Sequence, residues 1–185
     1  MARIVSESNQ MSRTVLGMSR RVEVWRPVGN LRSENSNAAL QFAWIGGVKM
    51  ALVDIDDGFA DFDDLVVDGG LDALCSAAFD GGVGRCVVFD YVAVGTDGTA
   101  PASSQTALGG EVLRVQGTYG KDVAVGECSV DATFNITGTY ALQECGLFNA
   151  ASDGVMYCRD TFTTKNVVSG DTVKVYYTPK FQRPS

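Results

Sequence analysis

Histidine is absent from the 185 residues of this chain. Histidine is the commonest general base at neutral pH, the usual partner of a serine or cysteine nucleophile, and the commonest metal ligand. Its absence disfavours most hydrolase mechanisms and most metal centres. We therefore expect a protein that is not an enzyme, with no catalytic residue, no cofactor and no metal site.

Long apolar runs are also missing, although the chain is 45% hydrophobic. No run approaches the ~20 apolar residues that cross a bilayer, and no apolar block follows the charges near the N-terminus. We expect neither a membrane span nor a secretion signal. The apolar content is sufficient for the core of one globular domain.

The five cysteines lack the spacing of a metal site. Cys75, Cys86, Cys128, Cys145 and Cys158 include no C-x-x-C pair, and no histidine can complete a zinc site. We expect Cys75, Cys86 and Cys145 to be small core residues. Disulfides stay open, because neither the redox compartment nor the pairing follows from the sequence.

Acidic residues outnumber basic ones, but they are unevenly distributed. The net charge is −7, while residues 1–40 carry six Arg against three Glu and residues 41–90 carry ten Asp against two basic residues. This split is typical of a domain with an appended basic arm, which could contact an anionic partner or the acidic segment of an adjacent copy. The predicted assembly contacts are Arg13, Arg20, Arg21, Arg26 and Arg32. The alternative is a flexible terminus whose Arg side chains are only solvated.

The acidic segment Asp54–Asp64 superficially resembles a calcium loop. EF-hand loops place oxygen ligands at alternate positions, glycine at the sixth position and glutamate at the twelfth. Here Gly58 comes one residue too soon and no glutamate closes the segment. We expect a solvated acidic loop, and weak cation binding stays open.

Apolar residues alternating with polar ones, separated by polar turns, predict a mainly β chain. Val22 and Val24 predict a short strand before Pro27. The Gly46-Gly47 pair predicts a hairpin between apolar runs at 39–45 and 48–55. Further strands are predicted at 86–94, 111–119, 130–139, 140–148, 155–163 and 172–181, with hairpin turns at 152–154 and 169–171.

One helix interrupts this pattern. Leu71, Leu74, Cys75 and Ala78 recur at helical spacing, which predicts a helix over about 69–80 whose stripe packs on a sheet.

These elements predict an antiparallel β-sandwich-like domain with one short helix and an extended N-terminal arm. Residues 1–37 would form the arm with its short strand, and residues 38–185 the β-rich module. Removal of residues 1–32 is then expected to leave the module folded. We expect no specific nucleic-acid partner, because the chain outside the arm is acidic.

Several segments of the second half match a known family in their order. They are Gly70–Leu74, Phe89–Pro101, Thr106–Val112, Glu144–Asn149, Tyr157–Phe162 and Ser169–Val175. The most specific motifs are Val-Gly-Thr followed by Ala-Pro, then Thr-Ala-Leu-Gly, then Gly-Leu-Phe-Asn. Over about residues 67–181 the chain resembles tailed-bacteriophage virion structural proteins of the head-fibre, tail-fibre and decoration kind.

The resemblance implies a β-rich virion module without catalytic residues. We expect a structural protein of the capsid or neck, of the decoration, collar or head-fibre type, located in the virion and assembled in the host cytoplasm. It would attach through its N-terminal arm to capsid, neck or tail proteins and form a homo-oligomer. A trimer is expected from the way virion fibres are built. The alternative is a tail-fibre tip that binds a host receptor or glycan through Phe59, Asp61 and Phe62.

Overall fold

The computed structural model describes residues 15–31, 41–57, 65–79, 88–120 and 124–182. Within these ranges the chain forms eleven strands in two antiparallel sheets, together with one α-helix and one 3₁₀ turn. The predicted fold class, a mainly β, antiparallel sandwich-like domain with one short helix, is confirmed.

The two sheets contain six and five strands. The strands of the first are β1 (Val15–Pro27), β2 (Phe42–Ile45), β3 (Val48–Asp57), β7 (Thr118–Gly120), β8 (Ser129–Asn135) and β11 (Thr172–Gln182). Their order is β2-β3-β1-β11-β8-β7. The strands of the second are β4 (Leu65–Val66), β5 (Tyr91–Gly95), β6 (Glu111–Gln116), β9 (Tyr140–Phe148) and β10 (Met156–Val167). Their order is β4-β10-β9-β5-β6.

The main apolar core lies between the two sheets. In β8, Val130, Ala132 and Phe134 are buried while Thr133 and Asn135 are exposed, which is the alternation of a strand with one solvated face. Each large apolar side chain buried in this way stabilises the fold by ~1.5–3 kcal/mol.

A second, smaller apolar cluster covers the other face of the five-stranded sheet. Val92 and Val94 of β5 belong to the main core, whereas Ala93 between them points to this second cluster. The members of the second cluster are Val67, Ala93, Leu108, Phe148 and Met156. The central strands of this sheet are therefore covered on both faces, and every residue from Glu144 to Phe148 is buried.

The prediction of an N-terminal arm is wrong for residues 15–27. They form β1, which lies between β3 and β11 inside the six-stranded sheet and buries Val22 and Val24 completely. Because β1 pairs on both sides and carries apolar residues on its core face, it is part of the domain. The predicted boundary near residue 38 lies outside the described residues. Residues 1–14 and 32–40 lie outside the described residues.

The predicted hairpin turns at 46–47 and 152–154 are confirmed, whereas the predicted hairpin at 169–171 is wrong, because that turn joins strands of different sheets. Gly46 and Gly47 have φ values of +57° and +80°, a left-handed conformation at both central positions that joins β2 to β3. Asp153 and Gly154, at φ +51° and +75°, turn the chain between β9 and β10. Gly170, at φ +92°, turns it between β10 and β11.

The helix α1 spans Asp68–Phe79, one residue earlier than predicted. Its predicted contact stripe is wrong, because Leu71 and Cys75 are exposed. The helix instead presents buried Gly70 and half-buried Leu74 to the domain. The reason is close backbone approach: a Cβ on Gly70 would lie 2.8 Å from the Tyr157 Cα atom, so only glycine lets the helix pack this near to β10.

The structure buries a different set of cysteines from the set that the sequence predicts. Cys145 is a core residue as expected, and Cys158 is buried beside it in the same cluster. Cys75 is exposed and Cys128 is half-buried, while Cys86 lies outside the described residues. The strand predicted at 86–94 is described from Tyr91 to Gly95.

Candidate functional site

A fully buried ion pair joins the two central strands of the five-stranded sheet. Glu144 of β9 and Arg159 of β10 are both 0% exposed, and Arg159 Nε donates to Glu144 Oε2 at 2.8 Å. Burial of an unpaired charge is strongly unfavourable, so each side chain requires the other in this position.

The Glu144 carboxylate also binds the backbone of residues 96–110, which we call the covering loop. Its Oε1 accepts the N–H of Asp97 at 3.1 Å and of Gly110 at 2.7 Å, and its Oε2 accepts the N–H of Gly109 at 3.0 Å. With the donor from Arg159, four charge-assisted bonds converge on one carboxylate. The two ends of the covering loop are thereby held to one point.

The Arg159 guanidinium holds the middle of the covering loop. It donates to the Thr99 carbonyl at 2.8 Å, to the Asp97 carbonyl at 3.2 Å and to the Gln105 side chain at 3.3 Å. Inside the loop, Asp97 Oδ1 accepts the backbone N–H and the hydroxyl of Thr99 at 2.9 and 2.7 Å, which holds the pKa of Asp97 below its ordinary value. The loop backbone is therefore bonded along its length.

Four of the six segments that carry the family resemblance meet at this ion pair. The segment 89–101 ends in the first half of the covering loop, and 106–112 forms its return. The segments 144–149 and 157–162 supply the carboxylate and the guanidinium. The arrangement holds a conformation, since both charged groups are buried and bonded to protein.

Two of the predicted assembly contacts, Arg20 and Arg26, are buried inside the domain, and this corrects their predicted role. Arg20 pairs with Asp56 at 2.5 Å, pairs with Asp160, and donates to a backbone carbonyl of β10. Arg26 forms a two-bond pair with Asp171 at 2.7 and 2.8 Å. The reason is strand period: both side chains share the core face of β1 with Val22 and Val24.

Arg21 lies on the opposite face of β1 and is the one member of the predicted set that the described residues leave partly exposed. Its guanidinium pairs with Glu23 at 2.7 Å. Glu23 also accepts bonds from Trp25 Nε1 at 2.8 Å and Tyr176 Oη at 3.3 Å. Burial and the adjacent Glu23 carboxylate raise the pKa of Tyr176 to about 12. Arg13 and Arg32 lie outside the described residues.

The described part of the acidic segment is partly neutralised within the chain. Lys165 Nζ, itself buried, lies 2.8 Å from Asp54 Oδ1 and 3.9 Å from Asp56 Oδ2. Asp56 also accepts the Thr163 hydroxyl at 2.8 Å. Although burial opposes ionisation, the bonds from Arg20 and Thr163 hold the pKa of Asp56 below its ordinary value. Residues 58–64, with the proposed glycan contacts Phe59, Asp61 and Phe62, lie outside the described residues.

The sequence contains a signal for these buried charges that motif matching overlooks. Glu144 is followed by the apolar run 145–148 and Arg159 is preceded by the apolar run 155–158, and a charge next to such a run indicates a buried partner. Arg20 and Arg26 have the same parity in β1 as Val22 and Val24. Which residue partners which follows only from the fold, since the paired residues are up to 145 positions apart.

Comparison of the chain with protein-family models, with curated proteins and with solved structures finds no match. In the described ranges, no group of three or more Cys, Asp or Glu residues is arranged to hold a metal ion. No helix in the same ranges is long and apolar enough to cross a membrane.

Proposed function

We propose that this chain is a structural component of a tailed-phage particle, capsid- or neck-associated, of the decoration, collar or head-fibre type, and that it assembles as a homo-oligomer. The observation that supports the proposal is the covering loop fixed over the Glu144–Arg159 pair. Segments that resemble the virion family in sequence are contacting parts of one buried centre in the fold. The resemblance thus involves residues that act together physically.

The distribution of buried charges supports a structural role. Arg20, Arg26 and Lys165 join β1 and β3 to β10 and to the turn before β11, while Glu144 and Arg159 fix the covering loop. Breaking such a pair leaves an uncompensated buried charge, so each one opposes local opening. A domain held in this way presents a surface of constant shape to its neighbours.

Attachment to the particle is assigned to residues 1–14, which precede β1. The buried Arg20 and Arg26 are already paired within the chain, so they do not serve a partner surface. Residues 1–14 contain Arg3 and Arg13 against the single acidic residue Glu7. These two guanidinium groups are the proposed contacts with an acidic surface of the shell or neck.

The test is incorporation into particles by variants of the N-terminal segment. Deletion of residues 2–14 removes nothing from β1, so the purified domain should keep the far-UV circular dichroism and melting temperature of the full chain. We expect it to be missing from particles purified through a density gradient. The pair Arg3→Ala with Arg13→Ala should lose incorporation, and the matched pair Arg3→Lys with Arg13→Lys should keep most of it. Normal incorporation of the deletion variant contradicts the assignment.

A tail-fibre tip that binds a host receptor or glycan is the competing function. A tip protein binds host cells as a purified oligomer, and this binding does not depend on residues 2–14. Cell binding by both the full chain and the deletion variant, together with unchanged incorporation, would favour the tip. Absence of cell binding together with lost incorporation supports the capsid or neck role.

A further inference from the structure

Within the described residues, β2 is one of the two outer strands of the six-stranded sheet, and it carries two exposed aromatic side chains. Trp44 is 74% exposed and Phe42 is 52% exposed. Outer strands of sheets are ordinarily protected by charged side chains or by being very short. Edge strand β6 of the other sheet has such protection, with Glu111 and Arg114 paired at 2.6 Å. The four residues of β2 include no charge.

The hydrogen bonding of the hairpin leaves alternate groups of β2 pointing outward. The Gln41 carbonyl accepts the N–H of Leu52 at 2.9 Å. In an antiparallel pair alternate residues bond to the partner strand, so Gln41, Ala43 and Ile45 bond towards β3. The N–H and C=O groups of Phe42 and Trp44 therefore point away from β3, to the side where the described residues place no further strand.

The outward backbone groups of two β2 strands can bond to each other when the strand pair is centred on Ala43. When a second β2 strand lies antiparallel with Ala43 opposite Ala43, Phe42 of each copy stands opposite Trp44 of the other. Both members of each such pair have outward backbone groups, so the two pairs can form four hydrogen bonds. A register centred between Ala43 and Trp44 instead places the outward Phe42 opposite the inward Ile45 and forms none of these pairs.

The same register also brings compatible side chains together. Phe42 and Trp44 lie on one face of β2, so the two cross-strand pairs form a cluster of four aromatic rings. Lys49 stands opposite Trp44 in the hairpin, and its Nζ lies 4.9 Å from the centre of the Phe42 ring. In the paired sheets, each Trp44 then has Lys49 of its own copy on one side and Phe42 of the other copy on the other side. No like charges face each other across the β2 strand pair.

The area suits a reversible dimer. An aromatic side chain has ~150–250 Å² of surface. With the exposed fractions above, the two rings of each copy remove on the order of 500 Å² in total from water on pairing. This is about half of the roughly 1,000 Å² of a specific interface, and the strand backbones with Gln41 and Val48 add to it. The area of the rings alone is below that of a stable complex, so the dimer is expected to be weak and its association to depend on concentration.

We propose that β2 is a self-association edge, at which two copies pair β2 against β2 about a two-fold axis at Ala43 and join their six-stranded sheets into one. The inference goes beyond the proposed function, because the interface depends on the hairpin alone and stands whether or not the chain belongs to a particle. It names a dimer contact, whereas the trimer expected from the family resemblance requires a different one.

The first test measures the mass of the purified full chain by sedimentation at concentrations up to about 100 µM. The expected result is a monomer–dimer equilibrium in which the emission of Trp44 shifts to shorter wavelength as the dimer forms. Trp44→Lys should weaken the dimer at least about tenfold, since it removes a central aromatic anchor. Tyr119→Lys is the matched control, because Tyr119 is 60% exposed on the opposite edge strand, β7, and should leave the equilibrium unchanged.

The second test does not depend on the stability of the Trp44 variant. Non-bonded pairs in antiparallel strands have Cα atoms about 4.5 Å apart, which a disulfide can span. Ala43→Cys should form covalent dimers under mild oxidation, with a mapped cross-link between the two substituted positions. Val125→Cys, at an exposed turn remote from β2, should not. A monomer at every concentration, an oligomer that Trp44→Lys leaves intact, or no cross-link at position 43 overturns the proposal.

Discussion

At the level of single residues, the Glu144–Arg159 pair determines the conformation of the covering loop. The carboxylate binds Asp97, Gly109 and Gly110, and the guanidinium binds the backbone between them. The effect of such a pair on the free energy of unfolding is seen mainly when one partner is removed, because the other charge is then left buried and unpaired. A buried charge without its partner costs about 3–5 kcal/mol.

Arg159→Met is predicted to lower the free energy of unfolding by about 3–5 kcal/mol, because it leaves the Glu144 carboxylate buried beside a thioether. Equilibrium unfolding in urea measures the change. The control is Glu111→Gln, which breaks the more exposed Glu111–Arg114 pair and should change the free energy by less than about 1 kcal/mol. A loss below about 1 kcal/mol in Arg159→Met contradicts the role given to this pair.

Asp56 should make the domain sensitive to acid. Its pKa is held below its ordinary value of 3.8 in the folded chain, so its ionised form favours folding. This stabilisation is complete above the unfolded pKa and is lost as the pH falls through the folded pKa. The native chain should therefore be more stable than Asp56→Asn at pH 7, and the difference should be lost as the pH falls through the lowered pKa of Asp56. Urea unfolding of both proteins across this range measures it, and a difference independent of pH contradicts the prediction.

Asp131 provides a control of opposite sign. Burial raises the pKa of Asp131 above its ordinary value of 3.8, against a bond from Ser129 that lowers it. The ionised form is then disfavoured by folding, and its cost is present above the folded pKa and absent below the unfolded one. Asp131→Asn should be at least as stable as the native chain at pH 7 and lose that advantage in acid. A loss of stability at pH 7 that resembles that of Asp56→Asn would show that burial is not the governing cause.

At the level of elements, β1 unites what the sequence predicts as an arm with the rest of the domain. It lies between β3 and β11 and places Val22 and Val24 in the main core. A six-stranded sheet without this strand is divided into two unconnected parts.

Deletion of residues 2–32 is predicted to prevent folding, whereas deletion of 2–14 is not. The longer deletion removes the backbone partners of both β3 and β11 and leaves the buried Asp171 without Arg26. Far-UV circular dichroism and resistance to proteolysis compare the two proteins. A folded 2–32 deletion variant would contradict the central placement of β1.

Two adjacent glycines of α1 should respond in opposite ways to the same substitution. Gly69→Ala meets only Val155 at 3.6 Å, so it should stabilise the domain by about 0.5–1 kcal/mol through higher helix propensity. Gly70→Ala places a Cβ 2.8 Å from the Tyr157 Cα atom and should destabilise the domain despite that propensity. Thermal unfolding compares them, and an equal response contradicts the close packing of α1 on β10.

The elements that local patterns determine could be predicted from the sequence. The alternation in β8, the Gly46-Gly47 turn and the Asp153-Gly154 turn depend only on neighbouring residues, and they agree with the structure. The helix was placed within one residue.

The parts that failed depend on contacts between distant residues. The contact face of α1 is set by Gly70 against Tyr157, a residue 87 positions later, so the apolar stripe through Leu71 gave the wrong face. The roles of Arg20 and Arg26 depend on Asp160 and Asp171. A basic segment by itself indicates solvated charges. Burial of its Arg side chains can be inferred only once it is known which face of the strand they occupy and which acidic residues lie opposite them.

At the level of the whole molecule, the uneven charge distribution is resolved within one chain. The basic N-terminal region and the acidic middle meet through Arg20 and Asp56 on neighbouring strands, with Lys165 from the facing sheet. The sequence left open that the arm of one copy contacts the acidic segment of the next. These residues contact each other within one chain. The proposed contacts with other chains are therefore the β2 edge, for a second copy, and residues 1–14, for the shell or neck.

Imaging of purified phage particles shows whether this chain is one of their structural components, as we propose. The measurement is electron cryomicroscopy of purified particles, with the two-sheet domain fitted to the density and its copy number compared by quantitative mass spectrometry. We expect density for the domain at the capsid or neck, in a fixed ratio to the shell protein and absent from particles made with the 2–14 deletion variant. Complete particles that contain this chain at no position would contradict the proposed function.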